Sequence, residues 1–203
     1  MASLIIHDTR LHGRTPLNYN FVKVVNASTT LSSVISTVIN CAQRAGGRLD
    51  QVHIFCHGYE AHWNLGQQSC VPGAAGGFGL QLCAEGLSLH NVSRLNAWQN
   101  KVRRIVVYAC APADTGEGNE GTVADGRRFM GEMALWSRAE VIAARDTQYY
   151  HRVAANYAGG RTVADTIDFG AWEGPVFSFT QANPQGMPIP MGAYDMRRPT
   201  SLH

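Results

Sequence analysis

Charge is scarce in this chain, and so are the motifs that sort proteins into common enzyme classes. Only 16% of its 203 residues are Asp, Glu, Lys or Arg, and the formal net charge is +2. Basic residues are scattered, with no run longer than Arg103-Arg104 or Arg127-Arg128. That pattern gives no grounds for nucleic acid or an acidic surface as partner. The five cysteines have no CxxC pair, and their odd count makes no disulfide framework, which fits a reducing compartment. No apolar run is long enough to span a membrane. The opening MASLIIHDTR lacks a basic region followed by a long apolar stretch, so it does not read as a secretory signal. Cytoplasmic residence is the expectation, and an effector exported without a classical signal would look the same. GxSxG is missing, which excludes the usual α/β-hydrolase nucleophile. GxGxxG is missing too, and no Lys-Ser/Thr follows the Gly-rich stretch 111–121, so no nucleotide or other cofactor is expected. His53, Cys56, His57 and His62 are poorly spaced for zinc, because strand positions 53 and 57 face one way and 56 the other. No metal is expected.

What is present is apolar. Hydrophobic residues make up 45% of the chain, enough for one folded domain with a substantial core. Residues 1–182 are expected to form that domain, and the proline-containing segment 183–203 a tail or surface arm. Leu31, Val34, Ile35, Val38, Ile39 and Ala42 recur at helical spacing. Ser28 or Thr29 is placed to cap that helix, and Gly46-Gly47 to end it. Further helices are expected over Leu87–Trp98 and after a cap at Thr122, the latter with Val123, Met130, Met133, Ala134 and Ser137 inward. Short apolar runs at Ser3–His7, Asn20–Asn26, Val52–Cys56, Ile105–Ala109, Val141–Ala144 and Val176–Thr180 read as strands. Residues 64–79, rich in Gly, Gln and Ser, read as a loop. Strand and helix alternate, which predicts an α/β fold with a mostly parallel central sheet flanked by helices. Functional groups of such sheets gather outside the carboxyl ends of the strands.

Two of those ends carry chemistry. VHIFC stops at His57-Gly58, and IVVYA stops at Cys110 before the loop APADTG. Strands consecutive in such a sheet tend to lie side by side, so the imidazole and the thiol are expected to share a cleft. A thiolate attacks carbonyls, a histidine supplies the proton that a leaving amine needs, and backbone N–H groups stabilise the oxyanion. Gly58, with no Cβ, allows close backbone approach. The N–H groups of Gly58 and Cys110 are the natural oxyanion donors. Cys41, Cys56 and Cys83 read as packing residues, and Cys70 as a loop thiol.

The paired strand ends, His-Gly and then Ala-Cys with a Gly-containing loop, resemble the caspase-like (clan CD) cysteine peptidases. The CHAT-domain proteases are the nearest of these, with Tyr108-Ala109-Cys110 followed, after an insertion, by Thr115-Gly116. By element order the resemblance covers roughly residues 1–180. It implies a three-layer caspase-like fold and a cysteine endopeptidase with His57 as proton donor and Cys110 as nucleophile. It further implies a protein or peptide substrate, leaves room for a regulatory protein partner, and places the specificity pocket beside the cysteine strand and the strand after it. Asp146 follows that next strand, and in the pocket it would favour a basic residue. The acidic residue that some members carry just before the nucleophile is absent here. Two other readings use the same residues: a catalytically inactive binding or scaffold module, and an amidase or acyl transferase.

Overall fold

The computed structural model describes residues 1–59, 62–64, 69–71, 78–156 and 162–190. Strands β1 (Ser3–Asp8) and β2 (Phe21–Val25) are followed by helix α1 (Leu31–Arg44) and β3 (Leu49–Phe55). Four short strands come next: β4 (His57–Tyr59), β5 (His62–Asn64), β6 (Ser69–Val71) and β7 (Gly79–Gln81). A 3₁₀ helix over Val92–Trp98 leads into β8 (Val102–Tyr108), α2 (Gly126–Ser137) and β9 (Glu140–Ala144). A hairpin of β10 (His151–Asn156) and β11 (Thr162–Asp168) precedes the final pair, β12 (Val176–Thr180) and β13 (Asn183–Ile189).

Seven strands form the central sheet in the order β13-β12-β9-β8-β3-β1-β2. The five from β2 to β9 are parallel, and β12 and β13 join antiparallel. The fold is therefore α/β with a mostly parallel sheet. Side-chain alternation sorts the strands into two cores. Ile105 and Val107 of β8 face the helices together with Leu4, Ile54 and Val141. Val106 and Tyr108 face the other way, with Ile5, Phe55 and Ile142. Buried hydrophobic residues of α1, the 3₁₀ helix and α2 all belong to the first core. Leu11, Ile167 and Phe169 cover the second face, with Tyr19, Tyr150 and Trp172 packed against it.

Chain direction explains this division. From β2 through β3 and β8 to β9 the chain moves one way across the sheet, and right-handed crossovers put the intervening helices on one face. The step from β1 to β2 runs the opposite way, so its connection lies on the other face. The order thus reverses between the adjacent strands β1 and β3, which is where α/β sheets open a crevice.

The local reasons are specific. Helix α1 is capped by Thr30, not by Ser28 or Thr29: the Ser33 N–H donates to its hydroxyl at 3.2 Å. The expected helix over Leu87–Trp98 forms only from Val92, because Leu87 is held in a bridge to Leu80. Thr122 does not cap α2. Asp125 does, accepting the Arg128 N–H at 3.1 Å, so Val123 lies outside the helix and is exposed. Segment 183–189, expected to begin a surface arm, is instead the seventh strand. Its Pro184 and Pro188 are tolerated because β13 is an edge strand. Gly131 inside α2 makes room for it, since a Cβ there would lie 2.1 Å from the Pro184 carbonyl oxygen. Of the expected loop 64–79, Ser69–Val71 is a strand paired with His62–Asn64, and 65–68 and 72–77 lie outside the described residues, as does 191–203.

His53 carries the clearest stability consequence. It is fully buried between Tyr108, stacked at 5.8 Å, and Tyr19, edge-on at 4.9 Å. Burial, aided by the Arg104 charge, pushes its imidazole down to about 3. The unfolded chain takes up this proton near pH 6.5 and the folded chain refuses it, so stability falls as pH drops through that window. One such proton is worth about 1.4 kcal/mol per pH unit. Thermal denaturation between pH 7 and pH 4 should show the melting temperature falling with acid, and His53→Phe should flatten that slope.

Candidate active site

His57 and Cys110 stand at the carboxyl ends of neighbouring parallel strands. Phe55 pairs with Tyr108 in the last rung of the β3–β8 ladder, and His57 and Cys110 each follow two residues beyond that rung. Both line a cavity with Leu11, Tyr150 and Phe169, which belong to the core on the face opposite the helices. The approach is close because residue 58 is glycine. A Cβ on Gly58 would sit 1.9 Å from the Cys110 carbonyl oxygen and 3.1 Å from its nitrogen. After Cys110 the chain turns sharply through Ala111, whose φ of 43° lies in the left-handed region. Together the two residues line one cavity of about 180 Å³.

The imidazole is held from behind. His57 Nε2 lies 3.0 Å from the Arg10 carbonyl oxygen. A carbonyl only accepts, so Nε2 carries the hydrogen and Nδ1 is the nitrogen left for chemistry. Arg10 is itself pinned. Its Nε and Nη2 donate to the two carboxylate oxygens of Asp8 at 2.8 and 2.7 Å, a bidentate fork. Nη2 also donates to the Cys83 carbonyl at 2.7 Å, and Asp8 accepts the Cys83 N–H at 2.8 Å. Asp8 is fully buried. A buried carboxylate, an arginine and the Cys83 turn therefore fix the backbone that orients His57. Sequence reasoning passed over Asp8 and Arg10. The available signal was a charged pair directly after an apolar strand.

Leu80 of β7 sends its N–H to the Leu87 carbonyl and accepts the Leu87 N–H, at 2.7 and 2.9 Å. Gly58 faces Leu80 across the β4–β7 pair, which makes theirs the non-hydrogen-bonded position of that ladder. The Gly58 N–H is therefore not taken by β7, and Gly58 lies directly against Cys110.

The remaining walls come from Leu11, Ala109, Phe169 and the segment 147–150. Leu11 is placed by its carbonyl, 2.8 Å from His7 Nε2. Gln148 staples the segment: its Nε2 donates to the carbonyls of Asp146 and Glu173, each at 2.8 Å, and its Oε1 accepts the Glu173 N–H at 3.1 Å. Asp146, expected in the pocket, does not line it. Its carboxylate accepts from Arg145 Nε at 2.8 Å and packs where a Cβ on Gly174 would clash with it. The reason is local: Asp146 lies two residues past the end of β9 and is engaged by the arginine that directly precedes it.

Cys41, Cys56 and Cys83 are buried, and Cys110 is partly exposed. Burial raises the Cys41 thiol, lifts Cys83 to about 11 and pushes Cys56 well up, the last helped by nearby Asp8. Cys56 lies just past β3 and touches the cleft, a placement its sequence position did not reveal. The side chain of Cys70 lies outside the described residues. Among the described residues no three His, Cys, Asp or Glu side chains gather as a metal site, and no helix is long and apolar enough to cross a membrane.

No family model, no curated protein and no solved structure matches the chain.

Two outcomes are expected from this geometry. Iodoacetamide at neutral pH should modify Cys110 at least ~10-fold faster than Cys41, Cys56 or Cys83, since the thiolate is the reacting form; timed peptide mapping by mass spectrometry reads this. Asp8→Asn should cost about 2–3 kcal/mol of stability in urea denaturation. That is somewhat below the cost of breaking a fully buried pair, because Arg10 keeps 28% of its side chain exposed.

Proposed function

We propose that the chain is a cysteine peptidase of the caspase-like kind, with Cys110 as nucleophile and His57 as its proton-transfer partner. One observation carries the reading: His57 and Cys110 line the same cavity, with the imidazole tethered through Nε2 to the Arg10 carbonyl. A nucleophile, a base and a third group that orients the base are the parts that covalent acyl transfer needs.

The chemistry follows from the tether. The Cys110 thiol gives its proton to His57 Nδ1, and the sulfur adds to the substrate carbonyl carbon. The oxyanion so formed is met by the N–H groups of Gly58 and Cys110. As the carbon–nitrogen bond breaks, Nδ1 returns the proton to the leaving amine. Water then adds to the thioester, giving the acid product and regenerating the thiol. Nε2 keeps its hydrogen throughout, donated to Arg10, so the ring does not rotate between steps.

The test is cleavage of a diverse peptide library, read by mass spectrometry. Cys110→Ala should abolish cutting, and His57→Ala should slow it by about 10²–10⁴-fold. Cutting that survives Cys110→Ala would sink the assignment. Hydrolysis of small amides but not peptides, lost in the same two variants, would move the reading to an amidase or acyl transferase. No turnover of either kind would favour a scaffold.

A further inference from the structure

We infer that the cavity beside Cys110 receives an uncharged, apolar side chain of the substrate, on the residue whose carbonyl reacts. This rests on the reading of Cys110 as nucleophile. The cavity is about 180 Å³, whereas pockets for whole small molecules or cofactors run from about 300 to 1,000 Å³. The space suits one side chain.

Its walls decide which kind. Leu11, Ala109 and Phe169 are all buried and supply hydrocarbon. Phe169 forms a fixed floor, its ring backed by Phe55 at 5.0 Å and Tyr108 at 5.3 Å, with Tyr150 beside it at 5.7 Å. Among the described residues no Asp, Glu, Lys or Arg lines this cavity. The amide of Gln148, which could have read a polar group, spends both carbonyl-directed donations and its acceptor on Asp146 and Glu173.

The charges close by are already paired: Asp8, near enough to act on the Cys56 thiol, is held by Arg10. Asp146 is engaged with Arg145, and Arg145 lines a separate, polar cavity of about 330 Å³ with Arg127, Glu120 and Asp125. A cationic or anionic side chain entering beside Cys110 would lose hydration and meet no counter-charge among the described lining residues. An aliphatic or aromatic one would exchange water for apolar contact.

Binding is measured on the Cys110→Ala protein, which cannot turn substrate over. The probes are N-acetyl-leucinamide, N-acetyl-phenylalaninamide, N-acetyl-argininamide and the neutral-backbone amide of N-acetyl-aspartate, and the readout is the backbone amide shifts of Thr147–Tyr150. The leucine and phenylalanine probes should shift these amides at concentrations at least ~10-fold below the charged ones. In the peptide library, cuts by the unmodified protein should follow Leu, Met or Phe. Thr147→Asp, a change at a partly exposed wall position, should raise cutting after Lys and Arg at least ~10-fold relative to Leu by supplying a counter-charge. Charged probes that bind as well as apolar ones, or probes that leave the four amides unmoved, would overturn the inference. Apolar binding at these amides without any library cleavage would keep the pocket assignment and discard the peptidase reading.

Discussion

The parallel pairing of β3 with β8, in the register that sets Phe55 beside Tyr108, is the constraint from which the cleft follows. Side chains alternate along a strand, so a slip of one residue would turn His57 and Cys110 to opposite faces. The register is protected by what flanks it. Val52, Ile54, Ile105 and Val107 are buried among the helices, while His53, Phe55, Val106 and Tyr108 are buried on the other side. Shifting the strands would expose one set or strand the other. The rings of Phe55 and Tyr108 meet edge to face at 4.7 Å, directly beneath the two residues that the register brings together. Packing energy in the sheet is thereby converted into position at its rim.

A second constraint acts on orientation rather than position. His57 could turn about its side-chain bonds if only its backbone were fixed. The Arg10 carbonyl stops that, and it is held by an ion pair whose carboxylate lies wholly inside the protein. Burying a carboxylate is costly, and the cost is offset only because Asp8 collects donations from Arg10 and from the Cys83 N–H. The same pair ties β1 to the turn that follows β7. It therefore joins both sides of the crevice created where the strand order reverses between β1 and β3.

Charge is distributed with the same economy. Around the loop after Cys110, Asp125 is buried, yet hydrogen bonds from Gly121, Thr115 and Arg128 outweigh the burial and hold its carboxyl below the ordinary range. That carboxylate starts α2 and orders the loop. The polar cavity and its arginines lie on this side. The cavity shared by His57 and Cys110 stays apolar. In the proposed reaction, a low-dielectric setting of this kind would strengthen dipoles directed at the oxyanion.

Much of the fold was legible in the residues. Runs such as IVVYA and the i, i+3, i+4 pattern from Leu31 depend on local periodicity, which folding does not alter. The elements that failed to appear as read were those decided by distant partners. Leu87 left its helix for Leu80, the cap of α2 passed to Asp125 through a loop that folds back, and 183–189 became a strand because β12 and Gly131 gave it a seat. Gly131, unfavourable in a helix interior, was the one local hint of that docking. At the site, the strand-end positions of His57 and Cys110 could be read from the sequence. Arg10, Leu11 and Phe169 could not, because they reach the cleft through connections of tens of residues. The sequence by itself determined six of the seven strands of the central sheet, the long helix and the two residues at the strand ends, since these follow from near-neighbour periodicity. Tertiary structure alone decided which backbone carbonyl holds the imidazole and which side chains wall the cavity, because those contacts exist only once the sheet has set its order and register.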